Sequence, residues 1–231
     1  IFNALFKPPF LKRKICGNVS LELKLVNLFS QLDQRLFLLI NRWANARWDT
    51  VFVELSALGA WPIGIVALAA LAHVGRRLFW RHALVLLLGL LIISAAGNAI
   101  KSNVERARPS RFFMQETMHN PSPVRIADPW SLKGNSFPSG HSLTAFYFMT
   151  YLSLYRAAYA WWALPLAGLI AFARVYVGHH FPSDCLAGAA LGAAGAWLAW
   201  TLFKRVFARE TQNLTGGQPP CISPHPLPPD H

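Results

Sequence analysis

Three cations, two histidines and one carboxylate stand at or near the edges of apolar segments. They are Lys101 with Arg108-Pro109, Pro138-Ser139-Gly140-His141, Arg174, and His180 with Asp184. A phosphate carries most of its charge on nonbridging oxygens, so stabilising its transfer takes several fixed cations and N–H donors around them. Lys101, Arg108 and Arg174 supply the cations; an Arg fork engages two oxygens, whereas Lys acts as a point charge. The Ser139-Gly140 step leads into an apolar segment, where N–H groups at a helix start favour an anion and glycine allows close backbone approach. Imidazole titrates near neutral pH and serves as nucleophile or proton donor, so a pair can divide attack from leaving-group protonation. Asp184 follows His180 by four residues and can reach back to it. A carboxylate on one imidazole nitrogen fixes the tautomer and raises the nucleophilicity of the other.

The elements that must carry these residues read as membrane helices. Hydrophobic residues make up 54% of the 231-residue chain and charged residues 14%, against roughly 25% charged in an ordinary soluble domain. The net charge of +12 comes from Lys and Arg flanking apolar runs. That placement points to anionic lipid rather than nucleic acid. Cys16, Cys185 and Cys221 have no metal-ligand spacing, and Cys185 reads as a packing residue.

The predicted fold is an all-α integral membrane bundle of five transmembrane helices, with six possible. The spans fall at about Val51–Ala72, Ala83–Ile100, His141–Tyr155, Ala158–Val177 and Asp184–Phe203, near the roughly 20 residues that cross a hydrocarbon core. Pro62 and Pro165 are expected to kink their helices. Gly188, Gly192 and Gly195 give the last span a small-residue face for close helix contact. Ahead of the spans, residues 21–48 alternate apolar and charged positions at helical spacing and predict an amphipathic helix in the membrane interface. The domain reading is therefore an N-terminal extension over 1–20, the interfacial helix over 21–48, an embedded core over 49–206 and a disordered Pro/Gly-rich tail over 207–231.

Five spans alternate sides, which puts Lys101–Arg108, Pro138–His141 and His180–Asp184 on one face of the membrane. Arg76, Arg77, Arg81, Arg156, Lys204, Arg205 and Arg209 fall on the other. The positive-inside rule places that second face in the cytoplasm and the histidines outside. The basic N-terminal lead-in argues the opposite unless a sixth span intervenes.

Taken singly, these residues have ordinary readings. Lys101 and Arg108 suit headgroup anchoring, Pro138-Ser139-Gly140 a turn and helix start, and Arg174 with Asp184 a structural ion pair. His73, His82, Trp161 and Trp162 read as interfacial residues, and Glu105, Arg106 and Arg111 as positions that could touch a headgroup. Taken jointly, K-x6-R-P, P-S-G-H and R-x5-H-x3-D occur in that order. Each specified position is met by chance about one time in twenty, which makes coincidence negligible.

This ordered set resembles the signature of the type-2 phosphatidic acid phosphatase superfamily, over roughly Asp49 to Phe203. It is most similar to the small bacterial branch of undecaprenyl pyrophosphate and phosphatidylglycerophosphate phosphatases. The resemblance implies hydrolysis of a membrane lipid phosphate through a phosphohistidine, without metal or other cofactor. His180 would be the nucleophile, Asp184 its orienting partner and His141 the general acid. Lys101, Arg108, Ser139, Gly140 and Arg174 would bind phosphate. Only the spacings to Arg174 and Asp184 select His180 over His179. One departure stands out: Ala173 precedes Arg174 where the family usually has Ser, which removes a possible hydroxyl contact. Undecaprenyl pyrophosphate is the first substrate expected, ahead of phosphatidylglycerophosphate, phosphatidic acid and a lipid A phosphate. The implied partners are the bilayer and its lipid phosphate, with no nucleic acid. The bacterial plasma membrane, site outward, is the expected location. An anion or lipid transporter and a vanadate haloperoxidase are the rival readings.

Overall fold

The computed structural model describes residues 21–74, 78–116, 124–128 and 134–214, all helix and connection with no strand among them. The expected N-terminal extension, Cys16, Cys221, Arg76, Arg77 and the tail beyond residue 214 lie outside the described residues. The helices are α1 (Leu21–Asn41), α2 (Ala46–Leu58), α3 (Pro62–Val74), α4 (Phe79–Asn103), α5 (Pro109–Glu116), α6 (Gly140–Tyr155), α7 (Ala160–Tyr176) and α8 (Pro182–Leu214). Among the described residues, α4, the Ala157–Tyr176 stretch and Pro182–Phe207 are long and apolar enough to cross a membrane. A fourth crossing results if α2 and α3, bent by 62° at their junction, count as one. The protein is thus an integral membrane helical protein.

The bend falls inside the expected first span, Val51–Ala72, and is sharper than a kink within one helix. Pro62 does not distort a continuous helix; it is the first residue of α3, where its missing N–H costs no hydrogen bond. Gly59 ends α2, and a Cβ there would lie 2.6 Å from Ile170 Cγ2 and 2.9 Å from His141 Cβ. The break thereby brings backbone against the first turn of α6. By contrast, α7 stays helical through Pro165.

At 16 residues, α6 is the shortest of the expected spans and the most deeply packed. Ser142, Leu143, Ala145, Tyr147, Phe148, Met149, Tyr151 and Leu152 are all buried, as expected for a helix with apolar residues on every side. Residues of α3, α4, α7 and α8 join it in the main core. It runs parallel to α8 at near backbone contact. A Cβ at Gly188 would overlap the Ser139 carbonyl oxygen, and one at Gly192 the Leu143 carbonyl oxygen. His82, expected at the interface, is instead buried against this core. Its Nδ1 lies 2.9 Å from the Tyr151 hydroxyl and its ring stacks on Phe203, so its polar and apolar parts are both satisfied.

The N-terminal helix also differs from expectation. It stops at Asn41, and Asn45 caps α2 by accepting from Arg47 N–H, so residues 46–48 belong to the next helix. Its Leu25, Leu28, Phe29, Leu32, Leu36 and Leu39 face outward, while Phe37, Asp33 and Asn41 are buried against the protein. Phe37 stacks on Phe113 of α5 and meets Phe181 edge-on. The Asn41 amide donates to the Arg125 and Tyr176 carbonyls and accepts from Arg125 N–H. The outward apolar face suits lipid, and Phe37 together with the polar positions does the docking.

If backbone contact sets the α6–α8 spacing, Gly192→Ala should destabilise the detergent-solubilised protein by about 1–3 kcal/mol. Gly168→Ala, whose Cβ meets nothing within 4 Å, should leave it unchanged. Thermal unfolding of the two variants side by side checks this.

Candidate active site

Four helix ends meet at one side of the bundle. Lys101 is in the last turn of α4, Arg174 in the last turn of α7, Gly140-His141 in the first turn of α6 and Asp184 in the first turn of α8. Lys101, Arg108, Gly140, His141, Arg174 and His180 line one cavity of about 390 Å³, together with Gly59 and Ala60 from the α2–α3 bend. Ser139 and Asp184 lie behind its wall with no exposed surface. The sequence-predicted set is therefore brought together, with six residues on the wall and two supporting it.

Local backbone geometry explains the third motif. Arg174 sits within the helical ladder, and Gly178 then adopts φ +85°, the left-handed conformation that ends helices and favours glycine. A Cβ at Gly178 would also approach the Arg125 carbonyl oxygen to 2.8 Å. After this reversal the His179 and His180 N–H groups both donate to the Arg174 carbonyl, at 3.1 and 3.3 Å. Arg174 and His180 thus end on the same cavity despite five intervening residues.

The cations are held from behind. Arg108, buried, donates through Nε to the Gly134 carbonyl at 3.3 Å and through Nη1 to the His179 carbonyl at 3.4 Å. Arg174, also buried, donates through Nη1 to Ser56 Oγ of α2 at 2.6 Å. Its buried Nε has no partner among the described residues, and an acceptor in the cavity would satisfy it. Ala173 is fully buried, and the hydroxyl that meets Arg174 comes from Ser56, over a hundred positions earlier in the chain.

At the α6 entrance, Ser139 is the N-cap. Its Oγ accepts from Ser142 Oγ at 3.1 Å and, more weakly, from Ser142 N–H at 3.5 Å, while its N–H donates to the Asp184 carbonyl at 3.0 Å. Its hydroxyl is thus occupied by helix capping. A Cβ at Gly140 would meet nothing within 4 Å, which keeps the cavity beside this helix start open.

His180 is buried, with Nδ1 turned toward Asp184 Oδ2 at 3.6 Å. That is too long for a hydrogen bond and short enough for strong electrostatic coupling. Ser136 Oγ bridges the gap: it donates to Asp184 Oδ2 at 2.5 Å and lies 3.4 Å from His180 Nδ1. Burial pushes the His180 imidazole down to about 3, against the opposing pull of Asp184, so it is neutral near pH 7 with a lone pair available. His179 points elsewhere, its Nε2 2.7 Å from the Asp128 carbonyl oxygen.

Asp184 does not pair with Arg174, as one sequence reading allowed. Its Oδ2 also accepts the Phe181 N–H at 2.9 Å, and its Oδ1 meets Arg106 Nη1. Ser56, Arg106 and Ser136 were missed as site residues. For Ser136, position two before Pro138 was a usable signal; Ser56 carries none in the sequence.

Beside the cavity an apolar groove of about 970 Å³ runs between α4 and α8, lined by Ile100, Ala187, Ala190, Leu191 and Ala194 among others. Both spaces share Pro138.

The PAP2 superfamily model matches residues 82–208. The chain belongs to that superfamily. It is 28% identical over 195 residues to a lipid A 4'-phosphatase of Bacteroides thetaiotaomicron, covering 80% of this chain and 83% of the relative. It is 28% identical over 166 residues to an undecaprenyl-diphosphatase of Sulfolobus acidocaldarius, covering 71% and 74%. The crystal structure of Aquifex aeolicus LpxE superposes with a TM-score of 0.61 at 25% identity, over 74% of this chain and 95% of that one. This PAP2 protein is a lipid phosphate hydrolase.

Because burial holds His180 near 3, its ring should be neutral at pH 5 in ligand-free protein, where an imidazole of ordinary pKa 6.5 would be about 97% charged. The ¹⁵N spectrum of histidine-labelled protein, assigned with His180→Gln, reads this directly; a charged ring at pH 5 contradicts it.

Proposed function

We propose that this PAP2 member removes a phosphate group from a lipid at the membrane surface by way of a phosphohistidine at His180, without metal. The observation that carries the reading is the single cavity lined by His141, His180 and three cations. Its roles are Lys101, Arg108 and Arg174 on the nonbridging oxygens, with Gly140 and the Ser139-capped start of α6 presenting N–H groups to the same anion. Nδ1 of His180 faces Asp184 and Ser136, which leaves Nε2 for phosphorus. The N–P bond forms as the P–O bond to the lipid breaks, and His141 protonates the departing oxygen. His141 then takes a proton from water as the water oxygen attacks phosphorus and the N–P bond breaks, releasing inorganic phosphate and restoring neutral His180.

The groove between α4 and α8 gives an alkyl chain an apolar bed beside the phosphate cavity, with Pro138 lining both. That adjacency favours a lipid over a soluble ester. Among lipids, a lipid A monophosphate takes first place over the undecaprenyl pyrophosphate expected from sequence, because the lipid A 4'-phosphatase relative matches across most of both chains. Undecaprenyl pyrophosphate is the second reading, favoured by the relative named for it. We read residues 49–206 as the embedded catalytic core crossing the bilayer five times, α6 included. Residues 21–48 are read as an interfacial approach to it and 207–231 as its tail. The site faces the outside of a bacterial plasma membrane, since Arg81, Arg156, Lys204 and Arg205 sit toward the opposite end of the bundle.

Purified protein should release inorganic phosphate from lipid A faster than from undecaprenyl pyrophosphate, phosphatidylglycerophosphate or phosphatidic acid. Release from none of the four would overturn the reading, and flux of an intact lipid without phosphate release would move it to a transporter. His180→Ala should lower turnover by at least about 10⁴-fold and His141→Ala by about 10²–10⁴-fold, both with unchanged thermal unfolding. Excess EDTA should leave the rate nearly unaltered, whereas loss restored by Mg²⁺ contradicts the metal-free route.

A further inference from the structure

The PAP2 match begins at residue 82, yet a residue of α1 reaches directly into the support of the catalytic carboxylate. Asp33, 5% exposed, accepts from Arg106 Nη2 at 2.5 Å, from Ser183 N–H at 2.9 Å and from Ser183 Oγ at 2.5 Å. Arg106, 7% exposed, spans the two carboxylates: Nη2 holds Asp33, and Nη1 holds Asp184 Oδ1 and Ser183 Oγ. Its guanidinium also lies over the Phe181 ring, 4.2 Å from the centroid. The chain of contacts therefore runs from Asp33 through Arg106 and Asp184 to the Nδ1 side of His180.

We propose that Asp33 and Arg106 are a positioning pair for the Asp184–His180 couple, so that α1 is part of the catalytic apparatus. This rests on the phosphatase reading for its consequence in turnover. The physical argument is one of charge division. A lone guanidinium on a buried carboxylate would neutralise it and weaken its hold on the imidazole. Shared between two carboxylates, Arg106 leaves the trio with one net negative charge, and Asp184 keeps its electrostatic pull on His180. The planar fork suits this, because two nitrogens face two carboxylates at fixed separation, whereas a lysine ammonium would have to choose. Supporting groups behind a reactive residue act by orientation and by tuning its basicity, here as behind metal ligands. Asp33 additionally accepts the Ser183 N–H in the first turn of α8, which ties α1 to the same turn that carries Asp184.

Two readouts test the pair, one of them independent of any substrate. Asp33→Asn keeps one oxygen for Ser183 N–H but replaces the charged oxygen that accepts from Arg106 and Ser183 Oγ with an NH2 donor; Arg106→Gln and Arg106→Lys remove the bridge. The first two variants should each lower kcat by about tenfold or more with KM within about twofold, and Arg106→Lys should not restore the rate. They should also slow carbethoxylation of His180 by diethyl pyrocarbonate, followed by mass spectrometry, by a comparable factor. The double variant Asp33→Asn/Arg106→Gln should be no slower than the slower single one, since both act through one carboxylate. Leu32→Ala, on the outward face of α1, should match wild type. The proposal is overturned if Asp33→Asn and Arg106→Gln react at His180 at the wild-type rate. It is equally overturned if their losses only track a smaller folded fraction in thermal unfolding. Wild-type protein without phosphate release would sink the phosphatase reading alone, because the carbethoxylation rates still decide the positioning pair.

Discussion

A carboxylate with no contact to solvent must be surrounded by donors or give up its charge, and Asp184 is surrounded from every direction. Arg106 and Ser136 come from the connection between α4 and α6, the Phe181 N–H from the turn before α8, and the imidazole of His180 from the same turn. The carbonyl of Asp184 meanwhile receives the Ser139 N–H, which fixes the start of α6. One buried anion thus joins the loop after α4, the start of α6 and the start of α8. The cation-lined wall of the cavity is the other side of that junction, and its two arginines are themselves held by carbonyls and by Ser56.

Helix direction completes the electrostatics. Helices α6 and α8 begin at the site and α4 and α7 end there, so the α6 start lines the same cavity that Lys101 and Arg174 line from helix C-termini. Cations at C-termini and an anion near an N-terminus are each favoured by the helix dipole. The arrangement concentrates positive charge on a small volume while keeping Lys101, Arg174 and Asp184 at the ends of apolar helices, where the polar cost in a bilayer is lowest.

The candidate site positions were legible because each motif is short and falls within a rigid local unit. In R-x5-H-x3-D the helix end, the glycine turn and the next helix start fix the geometry over eleven residues. Supporting positions were not legible in that way. Asp33 and Arg106 are 73 residues apart, and an aspartate in an amphipathic repeat looks the same whether it meets water or a buried guanidinium. The sharpness of the break in the first span was hidden for a local reason: Gly59 through Pro62 held a helix end and a helix start, and hydropathy averaged over a window passes across both. Ser56 on the far side of that break could be recognised only once Arg174 had a position in space.

The contact between α6 and α8, backbone against backbone at Gly188 and Gly192, leaves no side chain between them to flex or shrink. The spacing of the two helices whose starts close the cavity is therefore cut into main chain and is indifferent to what the cavity receives. New substrates would have to be accommodated by remodelling the flanks, along the α4 side and the outer face of α8, while the reaction centre itself stays at one fixed bore.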